Sequence, residues 1–231
     1  MSGTERRQAI VDAALPLFAE HGLSGVTTRQ IAQAAGVSEA LLYRHFASKD
    51  EIFAAIQDCC VSHAGNPADY LKSLPNDTKT LITCIHTLMW KIQSQAGPGN
   101  DEPDSFHRLM IRSLLADGTF AASFQRRTSV VWVDKMRACV KAAIAAGDVD
   151  VDGTEAELGI WLGHHLSVMI RLYSLSGEEI VSYPVPRDQL LEHSVRFCLR
   201  GIGMRREAVE AHYRPAELNL FLSGTFAGPQ S

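Results

Sequence analysis

Residues 27–53, TTRQIAQAAGVSEALLYRHFASKDEIF, decide the fold of the N-terminal part of this chain. Thr27 followed by Gln30 is a capping-box pattern, which predicts the start of a short helix. That helix is expected to stop at Gly36, because glycine accepts the positive φ that a tight joint between two helices requires. The stretch therefore predicts a helix, a sharp turn and a second helix.

The flanking residues supply the remaining helices of a small N-terminal domain. Ser38 is a suitable N-cap for the helix after the turn, and Ser48 with Glu51 predicts the start of the next one. Upstream, apolar residues recur at helical spacing over residues 10–18 and are followed by Gly22, a typical helix stop. We therefore expect three short helices and a connecting helix within the first part of the chain.

Composition limits the classes of protein that the chain can belong to. It has 231 residues, of which 46% are hydrophobic and 21% charged, with a formal net charge of −4. This net charge argues against nucleic-acid binding over the whole surface, so any DNA contact must be local. The five cysteines include no CxxC pair and indicate neither a disulfide framework nor a zinc ribbon. Without a bilayer-length apolar run or a signal-peptide core, the sequence predicts no membrane association and a cytoplasmic location.

Residues 18–53 resemble the helix-turn-helix and the following helix of the TetR family. The resemblance rests on FAEHGLSGVT at 18–27, the Ala-Gly-Val turn, the Leu-Tyr-x-His-Phe element at 42–46 and the Ser-Lys-Asp-Glu restart. It implies an all-α protein with an N-terminal three-helix DNA-binding domain, followed by a C-terminal helical domain that binds a ligand and dimerises.

The chemistry of the second short helix is consistent with DNA binding. Ser38 and the small Ala40 allow close approach to the major groove, and Tyr43 and His45 can contact the phosphate backbone. Arg29 is the best candidate for a guanine contact, because its guanidinium can bind a base edge with two donors. The resemblance implies that ten residues face DNA: Thr28, Arg29, Ser38, Glu39, Ala40, Leu41, Tyr43, Arg44, His45 and Lys49.

Two of these positions restrict what the surface can recognise. Glu39 repels phosphate unless it accepts a hydrogen bond from a cytosine amine. Leu41 can offer only apolar contact, such as contact with a thymine methyl group.

The clearest break in the pattern is predicted at residues 62–76, which contain Gly65, Pro67 and Pro75. We therefore expect a DNA-binding domain at 1–50, a helical effector-binding and dimerisation domain at 51–203, and a less regular tail of unclear role at 204–231. The predicted helices of the second domain are 80–95, one from about 103, 119–146, 155–175 and 187–202, with a loop at 96–104.

The helices at 155–175 and 187–202 have broad apolar faces. These apolar faces are wider than packing against a single neighbouring helix requires. This width favours burial on two sides, as in a four-helix bundle formed by two chains. We therefore expect a homodimer through these helices, while packing inside a single chain remains the alternative.

The central helices are expected to enclose a sensor pocket for a small apolar or aromatic effector. The candidates are aromatic and methionine residues, each of which can equally be plain core: Met89, Trp90, Phe106, Met110, Phe124, Trp132, Met136, Trp161 and Met169.

No catalytic motif of the GxSxG, GxxxxGK[ST], GxGxxG or HExxH type occurs in the sequence, so we expect no enzyme, no catalytic residue and no cofactor. His164 and His165 point about 100° apart on a helix and are poorly placed to hold one metal ion. A cluster of His86, His107 and His164 is the remaining alternative, and we expect no metal site.

The function that these patterns favour is a sequence-specific transcriptional regulator that binds double-stranded DNA. We expect a repressor that a small-molecule effector releases from a palindromic operator, with activation left open. A helix-turn-helix protein of another class, such as a nucleoid or recombination accessory factor, and an inactive relative that only dimerises are the alternatives. The operator sequence, the effector and the regulated genes cannot be inferred from the sequence.

Overall fold

The computed structural model describes residues 2–94, 105–176 and 178–226, in which the regular structure is helical, with one isolated bridge between Val149 and Met204. The predicted all-α class is confirmed, and the predicted loop at 96–104 lies outside the described residues. None of the described helices has the length and apolar character needed to cross a bilayer. The helices are α1 Gly3–Gly25, α2 Thr28–Ala34, α3 Glu39–His45, α4 Lys49–Ser73, α5 Thr78–Ser94, α6 Ser105–Leu115, α7 Thr119–Ala145, α8 Gly153–Tyr173, α9 Arg187–Gly201, α10 Arg206–His212 and α11 Pro215–Phe226.

The first helices start and stop where the sequence predicts. The Thr27 hydroxyl accepts from the Gln30 amide at 3.2 Å, and the Gln30 side chain accepts from the Thr27 amide at 2.8 Å. The predicted turn glycine, Gly36, has a φ of 65°, and Gly22 interrupts α1 with a φ of 73°. Ser38 caps α3 by accepting from the Leu41 amide at 3.2 Å.

The break in the helical pattern predicted at residues 62–76 is wrong for most of its length, although a boundary between two compact units of the structure falls inside this range, between Ala64 and Gly65. Helix α4 continues through Pro67 and ends at Ser73. Proline removes one backbone hydrogen bond from a helix but does not by itself end it. Ile56 before Pro67 and Leu71 after it are buried in two separate apolar clusters, so α4 is packed on both sides of the proline, and this burial outweighs the local preference for a break.

The chain divides into two compact units. Unit 1 comprises Met1–Ala64 and Ala96–Thr128, and unit 2 comprises Gly65–Gln95 and Ser129–Ser231. Two of the unit boundaries therefore fall inside helices, one in α4 and one in α7. Each of these helices contributes one end to each unit. The predicted functional division at 50 and 203 follows chain order instead, and it stays a prediction.

An aromatic row occupies the core of unit 1. The ring centroids of Phe18 and Phe53 are 5.3 Å apart, and those of Phe53 and Phe120 are 5.6 Å apart. Ile31 of α2 and Leu42 of α3 are fully buried in the same cluster. The short helices are thus fixed to α1 by apolar contact.

Glycines allow α8 to pack closely on α9 in unit 2. A Cβ atom at Gly163 would collide with the Sγ atom of Cys198, and one at Gly159 would lie 2.9 Å from the carbonyl oxygen of Gly201. These positions exclude a larger side chain unless the helices separate.

The residues after 203 are more regular than expected, because they form α10 and α11. The Tyr213 hydroxyl and the Asn219 Oδ1 atom each lie 3.0 Å from a ring nitrogen of His86 on α5. Burial lowers the pKa of His86 to about 4, so the ring is neutral near pH 7. Since Asn219 Oδ1 can only accept, the His86 Nε2 atom donates to it and Nδ1 accepts from Tyr213. The described part of the tail therefore belongs to the core of unit 2.

We expect the Tyr213→Phe variant to lower the free energy of unfolding by about 1–3 kcal/mol, because it leaves the His86 Nδ1 atom without its buried donor. Urea denaturation measures this change. Tyr183→Phe, at a partly exposed tyrosine between α8 and α9, is the matched control and should stay within about 0.5 kcal/mol of the parent. Equal effects of the two substitutions would contradict a core role for the tail.

Candidate nucleic-acid interface

Helices α2 and α3, with the N-cap of α3 and the first residue of α4, present the predicted DNA-binding residues on the surface of unit 1. None of the ten is buried, and the side chains at the start of α3 are exposed. The ten residues therefore remain available to a ligand, and contact with DNA stays a prediction for each of them.

Tyr43 links the two helices while remaining open to solvent. Its hydroxyl lies 3.2 Å from the Thr28 Oγ1 atom, and its side chain is 51% exposed. The hydroxyl that accepts in this bond keeps its own hydrogen, which it can donate to a further partner such as a phosphate oxygen. The bond fixes the phenol beside the start of α2.

Lys49 has a structural bond in addition to its predicted role at DNA. Its Nζ atom donates to the Val26 carbonyl oxygen at 2.8 Å, which ties the start of α4 to the C-terminal end of α1. An ammonium group has three donors, so this bond leaves two for phosphate oxygens.

Glu39 is exposed in the first turn of α3. A carboxylate there is favoured by the partial positive charge of the helix N-terminus, independently of DNA. The residue is therefore compatible with a stable α3 even before any base contact is considered.

Arg7 fixes the end of α3, and the sequence did not reveal it. Its Nη1 atom donates to the His45 carbonyl oxygen at 2.5 Å, and both terminal nitrogens lie 3.3 Å from Glu51 Oε1. The guanidinium also lies 3.9 Å from the centroid of the Phe46 ring. Because Arg7 and Glu51 are 44 residues apart, no local spacing in the sequence signals this contact.

The nine predicted pocket residues do not form one cluster in the structure. Phe106, Met110 and Phe124 pack against the core of unit 1, with 4.9 Å between the rings of Phe106 and Phe124. The remaining six belong to unit 2, where only four join its apolar core: Met89, Trp90, Trp132 and Met136. Trp161 is partly exposed, and Met169 is 46% exposed. Sequence patterning detected apolar residues but could not sort them between two cores.

Among the described residues, no group of three or more His, Cys, Asp or Glu side chains is arranged to hold a metal ion. The imidazole of His86 is instead bonded to Tyr213 and Asn219. The alternative cluster of His86, His107 and His164 finds no support.

Comparison with known proteins identifies this arrangement. Residues 10–56 match the family model described as "Bacterial regulatory proteins, tetR family". The helix-turn-helix within residues 10–56 is therefore of the TetR type. The resemblance inferred from residues 18–53 is thereby confirmed, and its helix-turn-helix is a DNA-binding domain of this family.

Similar proteins carry the same assignment. The HTH-type transcriptional regulator AcrR of Shigella flexneri is 36% identical over 87 residues, which are 36% of this chain and 40% of AcrR. The HTH-type transcriptional repressor KstR2 of Mycobacterium tuberculosis is 26% identical over 64% of this chain and 72% of its own length. Both relatives are named as transcriptional regulators, which agrees with the expectation of a regulator and not an enzyme.

The structural likeness extends beyond the helix-turn-helix. A protein from Rhodococcus sp. assigned to the TetR family superposes with a TM-score of 0.63 at 20% identity, covering 86% of this chain and 99% of the other. At this identity the likeness shows the fold alone, and it extends over helices that the family model leaves unmatched.

We expect Arg7→Lys to lower the free energy of unfolding by about 1 kcal/mol and to weaken DNA binding, because an ammonium cannot contact His45, Glu51 and the Phe46 ring together. The ion pair itself adds little, since both side chains are 41% exposed. Urea denaturation and fluorescence anisotropy with duplex DNA measure the two effects. Arg6→Lys, at the neighbouring position, is the control; if it has the same effect, Arg7 has no special positioning role.

Proposed function

We propose that this TetR-family regulator is a cytoplasmic homodimeric repressor that binds a palindromic operator and is released by a small-molecule effector. The DNA-binding part of this proposal rests on the exposed face of α2 and α3. Arg7 stabilises this helix-turn-helix by bonding the C-terminal end of α3. The name of KstR2, a transcriptional repressor, favours repression as the output. A bound dimer represses by blocking access of the polymerase to the promoter.

The proposed division of labour on this face follows from side-chain chemistry. Arg29 contacts a guanine edge, Glu39 accepts from a cytosine amine, and Leu41 packs against a thymine methyl. Tyr43, with its neighbours along α3 and at the start of α4, contacts phosphates and sets the register of the helix in the groove. The small Ala40 allows close approach.

Exposed apolar side chains on α8 and α9 support the dimer. Leu158 and Leu162 are 58% and 59% exposed, and Phe197 on α9 is 61% exposed. Met169 and Tyr173 continue the α8 face at helical spacing and are also exposed. Because α8 and α9 already pack on each other through Gly163, this face requires a partner outside the chain. A second copy related by a twofold axis would bury it symmetrically.

Release by an effector requires that the ligand and DNA favour different conformers of the dimer. The two equilibria are then linked, and each ligand lowers the affinity for the other by the same factor. An effector that changes the spacing of the two α3 helices would thus release the operator, since both must fit successive major grooves.

We expect selection from a pool of random duplexes to enrich a palindrome that binds with strongly salt-dependent affinity. Arg29→Ala should relax the selected sequence at one position in each half-site by about tenfold, through loss of a base contact. Tyr43→Phe should retain the selected sequence and weaken binding to all duplexes alike, because it removes a backbone contact. Anisotropy at two salt concentrations measures these effects, and the absence of any enriched sequence would refute the proposed function.

Leu162→Glu should convert the dimer into a monomer and abolish tight operator binding, because it places a charge in the apolar face between the two copies. Analytical ultracentrifugation measures the oligomeric state. The matched control is Leu115→Glu, at a leucine of α6 that is 83% exposed and lies outside α8 and α9; this variant should stay dimeric. A dimeric Leu162→Glu protein would show that this face is not the interface.

A further inference from the structure

Arg112 of α6 bonds to α1 beside the point where α1 bends. Its Nη1 atom donates to the Glu20 carbonyl oxygen at 2.6 Å. Gly22, which follows shortly after, has a φ of 73° and a ψ of 172°, so the helical path of α1 is interrupted there. Carbonyl oxygens in the last turn before such an interruption lack the amide partners of a continuous helix. Arg112 therefore acts as a C-terminal cap for the long part of α1 that precedes the bend.

The side chain of Arg112 also lies directly against the bend. A Cβ atom at Gly22 would lie 2.8 Å from the Arg112 Nε atom and 3.6 Å from its Cδ atom. Position 22 is thus restricted to glycine twice, by its positive φ and by the approach of the guanidinium. The bond to Glu20 joins residues that are 92 positions apart, so no local pattern in the sequence indicates it.

Helix α6 is itself fixed within unit 1, the unit that also contains α1. Leu109, one turn before Arg112, is buried in the apolar core of this unit. The Oγ atom of Ser113 accepts from the Ala121 amide at 3.1 Å, which attaches the end of α6 to the start of α7. Arg112 therefore reaches α1 from a helix that has its own packing and its own hydrogen bond.

The segment after the bend leads directly into the helix-turn-helix. Residues 23–26 alone separate Gly22 from Thr27, the N-cap of α2. Val26 is buried at the end of this segment, and its carbonyl oxygen accepts from the Lys49 side chain at the start of α4. The segment is thus held at one end by the bond from α6 and at the other end by the bond from α4. The position of α2 depends on both.

We infer that Arg112 is a positioning residue for operator binding. By bonding the Glu20 carbonyl beside the bend, it sets where α2 begins and therefore where Thr28 and Arg29 lie. A binding constellation must be held within about 0.5 Å of its productive geometry, so a small shift at the bend lowers the affinity for DNA. The inference rests on the DNA-binding part of the proposed function, and it adds a residue outside the segment that the family model matches. Arg112 acts through the backbone of α1 and not through a phosphate.

The Arg112→Met variant of the full-length protein tests this role, with the duplex that the parent protein selects from the random pool as the probe. We expect its affinity for this duplex to fall about fivefold to tenfold, the loss expected from one hydrogen bond. The slope of log affinity against log salt should stay unchanged, because no phosphate contact is lost. Arg126→Met, at an exposed arginine of α7 in unit 1, is the matched control and should bind within about twofold of the parent.

Each contrary result overturns the inference for a different reason. Unchanged affinity of Arg112→Met would show that the bond to α1 has no effect on the operator. A salt slope that falls by about one would make Arg112 a phosphate contact instead. An equal loss in Arg126→Met would reduce the effect to net charge. A stoichiometric titration counts the protein that is competent to bind, so that a loss of folded protein is not measured as a loss of affinity.

Hydrogen exchange locates the effect within unit 1. In Arg112→Met we expect faster amide exchange over residues 23–34, which comprise the segment after the bend and α2, and unchanged exchange at the start of α4. Arg112→Lys keeps a donor for the Glu20 carbonyl and should restore part of both the protection and the affinity. An equal increase of exchange in both regions would indicate general destabilisation and overturn the positioning role.

The parent protein keeps the two proposals apart. If it selects a palindrome that Arg112→Met binds equally well, the positioning role is wrong and the proposed function stands. If the parent selects no duplex, the proposed function fails and the positioning role fails with it. A selected palindrome that Arg112→Met binds more weakly, with an unchanged salt slope and local loss of protection, supports both.

Discussion

The DNA-binding face depends on burial of the apolar side of two very short helices. Helices α2 and α3 have seven residues each, and helices of this length are not stable by themselves in water. Ile31 and Leu42 attach them to the row of Phe18, Phe53 and Phe120. Caps and the Gly36 turn then decide where each helix starts and stops, and the exposed face of α3 is a consequence of this core.

A second constraint acts on the direction of α3. The apolar core holds the helix by one side, and Arg7 holds its C-terminal end through the His45 carbonyl and the Phe46 ring. Lys49 adds a bond from the start of α4 to Val26. Cationic side chains thus stabilise the domain from within, and a basic residue near the interface is not necessarily one that contacts phosphate.

Unit 2 combines close helix packing with buried polar atoms, among them ring nitrogens of two histidines. Gly159 and Gly163 allow α8 to approach α9 closely. The ring nitrogens of His86 are bonded to Tyr213 and Asn219, which attach the C-terminal helices to α5. The buried Nδ1 atom of His164 has no hydrogen-bond partner among the described residues. The two histidines differ in the partners that distant parts of the chain supply, which neither residue type nor spacing in the sequence can indicate.

The sequence by itself determined the elements whose signals are local. Caps at Thr27 and Ser38, the glycine turn at Gly36 and the 3.6-residue apolar period predicted the helix-turn-helix and most helix bounds, because each signal acts within a few residues. Tertiary structure decided what depends on contacts between distant residues. The continuation of α4 through Pro67, the docking of the tail on His86 and the bond between Arg7 and His45 all result from burial or bonding across long stretches of chain. Tertiary structure also decided which of the two cores each predicted pocket residue joins. Apolar periodicity indicates that a side chain is buried, but it does not indicate the element against which that side chain packs.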